Sequence, residues 1–157
     1  MYQHILAPID GSDSAVQGLR EAIRLAADQK ARLRLMYVID TFPILVGMGS
    51  AASLDPSLIR LRNYGEQLLS AAKKLAGESG VAAETVLREV SEGRIANAVV
   101  EEARVSGCDL IVMGTHGRRG LSRMALGSDA DLVVRTSTVP VLLVRQQPDT
   151  IDSDQIA

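Results

Sequence analysis

Aromatic side chains are scarce in this chain of 157 residues: one Phe, three Tyr and no Trp, 3% in all. The core must therefore be built from Leu, Ile, Val and Ala, and a surface that stacks exposed bases on aromatic rings is not expected. Cysteine is nearly absent. Cys108 stands alone, which excludes an internal disulfide and suits a reducing cytoplasm. It precedes an apolar run, where a small buried residue is the simple reading. A basic excess is missing as well. Lys and Arg number 17 against 19 Asp and Glu, for a net charge of −2, and the isoelectric point is near 5.7, so no nucleic-acid surface is expected. Long hydrophobic runs are also missing. No window approaches the ~18–20 apolar residues of a membrane-spanning helix, and Met1-Tyr2-Gln3-His4 leads into no stretch long enough for a secretion signal. The two histidines and one cysteine show no metal-ligand spacing, and no Ser/His/Asp set can be asserted.

What is present is ordinary for a globular protein: 46% hydrophobic and 23% charged residues, enough for one domain with a real core. Residues 4–9 read as a short buried strand. Asp10-Gly11-Ser12-Asp13-Ser14 is turn and cap chemistry. Val16, Leu19, Ile23 and Ala26 then recur at helical spacing through a helix over 13–29. A second strand follows at 33–39. Residues 40–55 hold Pro43, Gly47, Gly49 and Ser50 and read as a mobile loop. Asp55-Pro56 opens a long helix with a stripe of Leu58, Leu61, Gly65, Leu68, Ala72 and Leu75, capped near Gly80. A third strand is expected over 81–90. Ile95, Val99 and Ala103 mark a helix ending near Gly107, before a fourth strand at 109–113. A helix over 128–136 and a last strand over 139–144 close the pattern. Strand and helix alternate throughout, which predicts an α/β fold: a doubly wound, five-stranded parallel sheet with helices on both faces. Residues 146–157, with Asp149, Asp152 and Asp154, read as an acidic, disordered tail outside a domain of residues 1–145.

The functional reading centres on residues 113–128. A buried strand, a glycine-rich loop and a helix start follow in that order, and the glycines are spaced Gly114-x2-Gly117-x9-Gly127-Ser128. Bare glycine amides approach an anion closely, and a helix N-terminus adds unpaired N–H groups. The loop carries Arg118, Arg119 and Arg123 and no acid. These features point to phosphate. The stretch is no classical P-loop, because Leu126 and Gly127, not Lys, precede Ser128. Gly47-x-Gly49-x-x-Ala52 is no convincing dinucleotide fingerprint either, because Asp55-Pro56 delays the next helix. Asp10 closes strand 1 and has two readings, a cap for the following helix or an acceptor for ribose hydroxyls. Ser128 has two compatible ones, cap and phosphate ligand. His116 reads as a surface residue of the loop, and His4 is assigned no role. In a doubly wound sheet, ligands sit beyond the carboxyl ends of strands where the order reverses. Asp10-Gly11-Ser12 and the glycine loop share one crevice if strands 1 and 4 are neighbours. Pattern alone does not decide that they are.

Three blocks, Ile5-Leu6-Ala7-Pro8-Ile9-Asp10-Gly11-Ser12, Asp109 to Arg118, and Leu126-Gly127-Ser128 with Val139-Pro140-Val141-Leu142-Leu143-Val144, resemble the universal stress protein family. The G-x2-G-x9-G-S spacing is similar to the signature of its ATP-binding branch. The resemblance spans residues 2–145 and implies a sheet of order 3-2-1-4-5, with strands 1 and 4 adjacent. Carried over by position, it implies that Pro8 and Ile9 flank adenine, that Asp10 holds ribose, that the backbone of Val38 reads the adenine edge, and that Met113 lines the pocket. It further implies that Gly114, His116, Gly117, Arg118, Gly127 and Ser128 surround the phosphates. Asp129 departs from the small apolar residue often found there. An acid beside phosphates repels them unless a divalent cation intervenes, so the resemblance leaves Mg²⁺ participation or a weakened triphosphate affinity open.

The resemblance further implies a homodimer through residues 139–144, able to build a higher oligomer. It implies a cytoplasmic, non-catalytic ATP-binding regulator of a stress pathway or membrane transporter through a protein partner. The alternative is a slow ATPase or nucleotidyl-transfer enzyme. Related adenine-nucleotide hydrolases share the broad fold, but the run of glycines they use after strand 1 is missing here. A structural dimer without ligand is a third reading.

Overall fold

A computed structural model describes residues 1–48, 55–116 and 126–145. Five parallel strands form one sheet of order β3-β2-β1-β4-β5. They are β1 (His4–Pro8), β2 (Arg32–Asp40), β3 (Ala83–Val90), β4 (Leu110–Gly114) and β5 (Val141–Val144). The helices are α1 (Asp13–Gln29), α2 (Phe42–Met48), α3 (Pro56–Glu78), α4 (Ile95–Val105) and α5 (Ser128–Thr136). The doubly wound order expected of the chain is the one found.

Strand alternation divides the core into two layers. Ile5, Ala7, Leu33, Leu35 and Tyr37 face Leu19, Ala22, Ile23 and Ala26 of α1 and Leu58, Leu69, Ala72 and Ala76 of α3. Leu6, Met36 and Ile111 point the other way, onto Ala96, Val99 and Ala103 of α4 and Val133 of α5. A central strand needs apolar residues on both faces, which is why the runs in β1 and β4 are continuous rather than alternating.

Several boundaries differ from the sequence reading, each for a local reason. Residues 42–48 are helical where a loop is expected. The Phe42 N–H donates to Asp40 Oδ1 at 3.1 Å, and the N–H groups of Ile44 and Leu45 donate to the Thr41 carbonyl at 3.1 and 3.0 Å. Pro43 falls in the first turn, where its missing N–H costs nothing. Residues 49–54 lie outside the described residues.

The α3 stripe is also rotated. Its buried members are Leu58, Gly65, Leu69, Ala72 and Ala76, whereas Leu75 is exposed. Leu61 and Leu68 pack partly buried against the core, and the closest approach is at Gly65, where a Cβ would lie 2.5 Å from the Tyr37 ring. Strand β3 begins at Ala83 rather than at Val81. Strand β4 runs from Leu110 to Gly114, one residue later than expected, because Asp109 is used as a tie. Its carboxylate accepts from the N–H groups of Gln3 and His4 at 2.8 and 3.0 Å. Strand β5 starts at Val141, since Val139 is held in a turn by Ser137 Oγ at 3.1 Å. The expected tail, residues 146–157, lies outside the described residues.

Candidate nucleotide site

Strands β1 and β4 are hydrogen-bonded neighbours, with Ile5 opposite Leu110 and Leu6 opposite Ile111. Their carboxyl ends, Pro8 and Gly114, open on one rim. This adjacency is the step that periodicity left undecided. Pro8 and Asp10 are half-buried and Ile9 is buried. The Ile9 N–H donates to the Met36 carbonyl at 2.8 Å, tying this segment to β2. Val38 lies two residues further along β2 and is half-buried, as is Met113 on β4.

Asp10 does not cap α1. Its Oδ1 accepts the Ser12 N–H at 2.9 Å, forming a tight turn. Ser12 is the cap, its Oγ accepting the Ala15 N–H at 3.2 Å. Gly11 carries the turn at φ +82, and a Cβ there would fall onto the Tyr64 hydroxyl. Tyr64 of α3 therefore packs directly over the residue beside Asp10. Its ring sits edge-on to Tyr37, with centroids 6.0 Å apart.

Gly114 is bare for a reason other than phosphate approach. A Cβ there would lie 2.6 Å from both the carbonyl carbon and oxygen of Ser14. On the helix side, a Cβ at Gly18 would lie 2.9 Å from the Gly114 nitrogen. The two glycines let α1 press its first turns onto the end of β4. Beyond them, the Thr115 N–H donates to the Val144 carbonyl at 3.1 Å, and the Thr115 carbonyl accepts the Gly127 N–H at 2.9 Å. The loop that leaves β4 is thus closed at its base, which returns Gly127-Ser128 to the same rim. His116, half-buried, donates its N–H to Ser14 Oγ at 3.3 Å, and its Nδ1 lies 2.9 Å from Thr115 Oγ1. Gly117 and Arg118 lie outside the described residues, as do Arg119 and Arg123.

Ser128 is not the cap of its helix. Gly127 occupies that position, in extended conformation and without a side-chain cap bond. The Ser128 side chain is exposed at the first helical position. Asp129 and Asp131 sit in the first turn, where the helix dipole favours acids. Asp131 also pairs with Arg135 at 3.0 Å. Because the Gly127 N–H is tied to the Thr115 carbonyl just past β4, the first-turn amides of α5 and the exposed Ser128 lie at the carboxyl end of the sheet, a donor set that suits an anion. No group of three or more His, Cys, Asp or Glu among the described residues is arranged to hold a metal.

Residues 1–145 match the model of the universal stress protein family. The chain belongs to that family. It is 38% identical over 146 residues to a universal stress protein of Methanocaldococcus jannaschii, covering 93% of this chain and 84% of the relative. The solved structure of a second M. jannaschii universal stress protein superposes with a TM-score of 0.81 at 26% identity, covering 94% of this chain and 99% of that one. A universal stress protein crystallised in complex with cAMP superposes with a TM-score of 0.64 at 26% identity, covering 93% and 98%.

Other polar features of this universal stress protein lie away from the rim. A cavity of about 390 Å³ is lined by Met1, Tyr2, Gln3, Gln29, Lys30 and Arg32, at the amino ends of β1 and β2. Cys108 is buried, and burial pushes its thiol above the ordinary range, which disfavours the nucleophilic thiolate. His4 is buried with its Nε2 3.3 Å from Glu84 Oε1, in an orientation that makes no hydrogen bond. Glu102, 2% exposed, lies between Arg34 at 2.7 Å and Arg88 at 2.8 Å. Glu102 follows Val99 by three residues on the inner face of α4, so helical spacing could have marked this network; Ser14 is visible in the sequence only as part of the turn after β1, and Gly18, Tyr64 and Thr115 carry no signal before the fold is known. No described helix is long and apolar enough to cross a membrane.

Proposed function

We propose that this universal stress protein is an ATP-binding, non-catalytic regulator in the cytoplasm. The observation that carries the reading is the shared rim of β1 and β4, with the Asp10 turn on one side and the Gly127-Ser128 helix start on the other. Adenine would lie by Pro8, Ile9, Val38 and Met113, ribose by Asp10, and phosphates by Gly114, His116, Gly117, Arg118, Gly127 and Ser128. Each charge-assisted hydrogen bond contributes about 1.5–3 kcal/mol, so a few suffice for micromolar affinity. Two observations narrow the individual roles. The bare face of Gly114 is filled by Ser14, so its contribution is its place in the chain rather than an open cradle. Asp129 stands one residue from Ser128, and a Mg²⁺ ion between its carboxylate and the phosphates would relieve their repulsion. The cAMP held by the related structure supports an adenine nucleotide as the ligand class.

Nucleotide occupancy would change a surface that a protein partner reads, in a stress pathway or on a membrane transporter. A homodimer through residues 139–144 is part of this proposal. Strand β5 is a sheet edge, and Leu142 on it is exposed. Such an edge invites pairing with a second copy. A monomeric mass at micromolar concentration would refute the dimer.

Mass spectrometry of co-purifying nucleotide, followed by calorimetry with ATP and AMP, tests the ligand. A chain that retains no adenine nucleotide and binds neither compound would refute the reading. Single-turnover assays test the alternative of a slow ATPase: fast cleavage of bound ATP, lost in Asp10→Asn, would favour the enzyme.

A further inference from the structure

We propose that the cavity at the amino ends of β1 and β2 binds a compact phosphate-bearing anion through Lys30 and Arg32. It lies at the end of the sheet opposite the β1–β4 rim and is independent of the nucleotide reading. The backbone carries the first observation. Three helices turn into strands through the same hydrogen bond. The N–H groups of Ala31, Val81 and Cys108 donate to the carbonyls of Ala26, Ala76 and Ala103 at 2.9, 3.0 and 2.9 Å. The residue before each donor has a positive φ. Glycine supplies it twice, as Gly80 at φ +72 and Gly107 at φ +66. At the third turn it is Lys30 at φ 55, the only non-glycine residue of positive φ among the described residues. A side chain in that conformation is strained where glycine is not. A local rule broken at one of three equivalent turns points to a use for the side chain that breaks it.

The charges carry the second observation. Lys30 and Arg32 are exposed where they line the cavity, and neither forms an ion pair with a described residue. None of the other lining residues, Met1, Tyr2, Gln3 and Gln29, is acidic. Asp109 is not among them, and its carboxylate accepts from the N–H groups of Gln3 and His4. The walls are already tied together. The Tyr2 N–H donates to Gln29 Oε1 at 2.6 Å, and the Arg32 N–H donates to the Gln3 carbonyl at 2.9 Å. With that oxygen engaged, the Gln29 amide offers its NH2 donors. Arg32 brings a planar fork suited to two phosphate oxygens, and Lys30 a compact point charge. A volume of about 390 Å³ is at the small end for ligand pockets, which suits a small anion.

Amide-resolved nuclear magnetic resonance on the full chain tests the site, with inorganic phosphate as the probe and chloride holding ionic strength constant. Saturable shifts are expected at the Lys30, Ala31 and Arg32 amides, with a midpoint of about 1–10 mM for two exposed cations. Lys30→Gly and Arg32→Gln should each raise that midpoint about fivefold or more. Lys30→Gly should also raise the melting temperature by about 2–4 °C, because it restores the residue the turn prefers. Its lost binding is then not lost structure. Glycerol 3-phosphate, titrated in the same way, separates the two sources of phosphate. A midpoint several-fold below that of inorganic phosphate identifies a phosphate monoester as the ligand, and an equal or higher one identifies the free ion. No saturable shift at those amides up to about 50 mM phosphate would overturn the proposal, as would a midpoint unchanged in both variants. Shifts confined to Gly127 and Ser128 at the rim, or a lower melting temperature for Lys30→Gly, would overturn it too.

Discussion

Replacing Gly114 by alanine should destabilise the fold because of α1, not because of a ligand. The added methyl would sit 2.6 Å from the carbonyl carbon and oxygen of Ser14. Those are main-chain atoms in the first turn of a helix of 17 residues, so no side-chain rotation relieves the overlap. The helix start must move off β4, disturbing the Gly18 contact on its next turn as well. Overpacking of a well-filled core costs about 1–3 kcal/mol, and a backbone collision belongs at the upper end, about 3 kcal/mol. For a domain of this size, that lowers the melting temperature by about 6–12 °C. With a urea slope of about 2 kcal/mol/M, the unfolding midpoint should fall by about 1.5 M. Far-ultraviolet circular dichroism follows the transition, since the chain has no Trp. The measurement is made without nucleotide. A midpoint within about 0.25 M of the unmodified chain would refute the packing argument and return Gly114 to the role of a phosphate cradle.

Gly77→Ala should have the opposite sign: it lies within α3 with nothing within 4 Å of its Cβ position, so about 0.5–1 kcal/mol of stabilisation is expected from the same urea titration. Glu102→Ala should cost about 1–3 kcal/mol, because largely buried Arg34 loses one of its two carboxylate partners and keeps only Glu84 at 2.6 Å. Arg88→Ala, at a side chain 51% exposed, should cost under about 1 kcal/mol, and equal losses for the two would count against a buried origin. Glu89 is held below the ordinary carboxylate range, chiefly by its hydrogen bonds with Arg62. A depressed folded-state value means that its contribution is fully present above the ordinary range and fades as pH falls through the lowered one. Glu89→Gln should therefore lose less stability than the unmodified chain on acidification, and the difference should shrink in high salt; parallel acid curves for the two would refute it.

Local signals carried much of the architecture. The Asp55-Pro56 start of α3 is one example, with Asp55 accepting the Ser57 N–H at 2.6 Å. The span of α1 followed from spacing and its Ser12 cap, and α5 occupies its expected residues although Gly127, not Ser128, is its cap. Where local rules failed, a distant partner had intervened. The buried stripe of α3 takes in Leu69 and Ala76 and leaves Leu75 exposed, and at Gly65 the helix presses onto the Tyr37 ring of β2, a contact that helical spacing does not foretell. Residues 42–48 became helical through Asp40 and Thr41, although Pro43 and Gly47 read as a loop. Thr41 itself is fixed by β3, its N–H donating to the Val90 carbonyl at 2.8 Å. The candidate site shows the same division. The glycine spacing and its helix start could be seen in the chain, but the partners of Gly114 and His116 could not, because Ser14 lies about a hundred residues earlier.

Alternating apolar runs, turn residues and caps determined by themselves that five strands and their intervening helices form, because backbone pairing and apolar burial repeat at periods of two and 3.6 residues. The likeness of three short blocks to a known family supplied the strand order in advance; periodicity alone could not. Tertiary structure alone decided which glycine is bare for a helix and which hydroxyl holds a histidine. It also decided that a glutamate finds two arginines inside the protein. Those outcomes depend on distances between residues far apart in the chain, and such distances exist only once the sheet has closed around its helices.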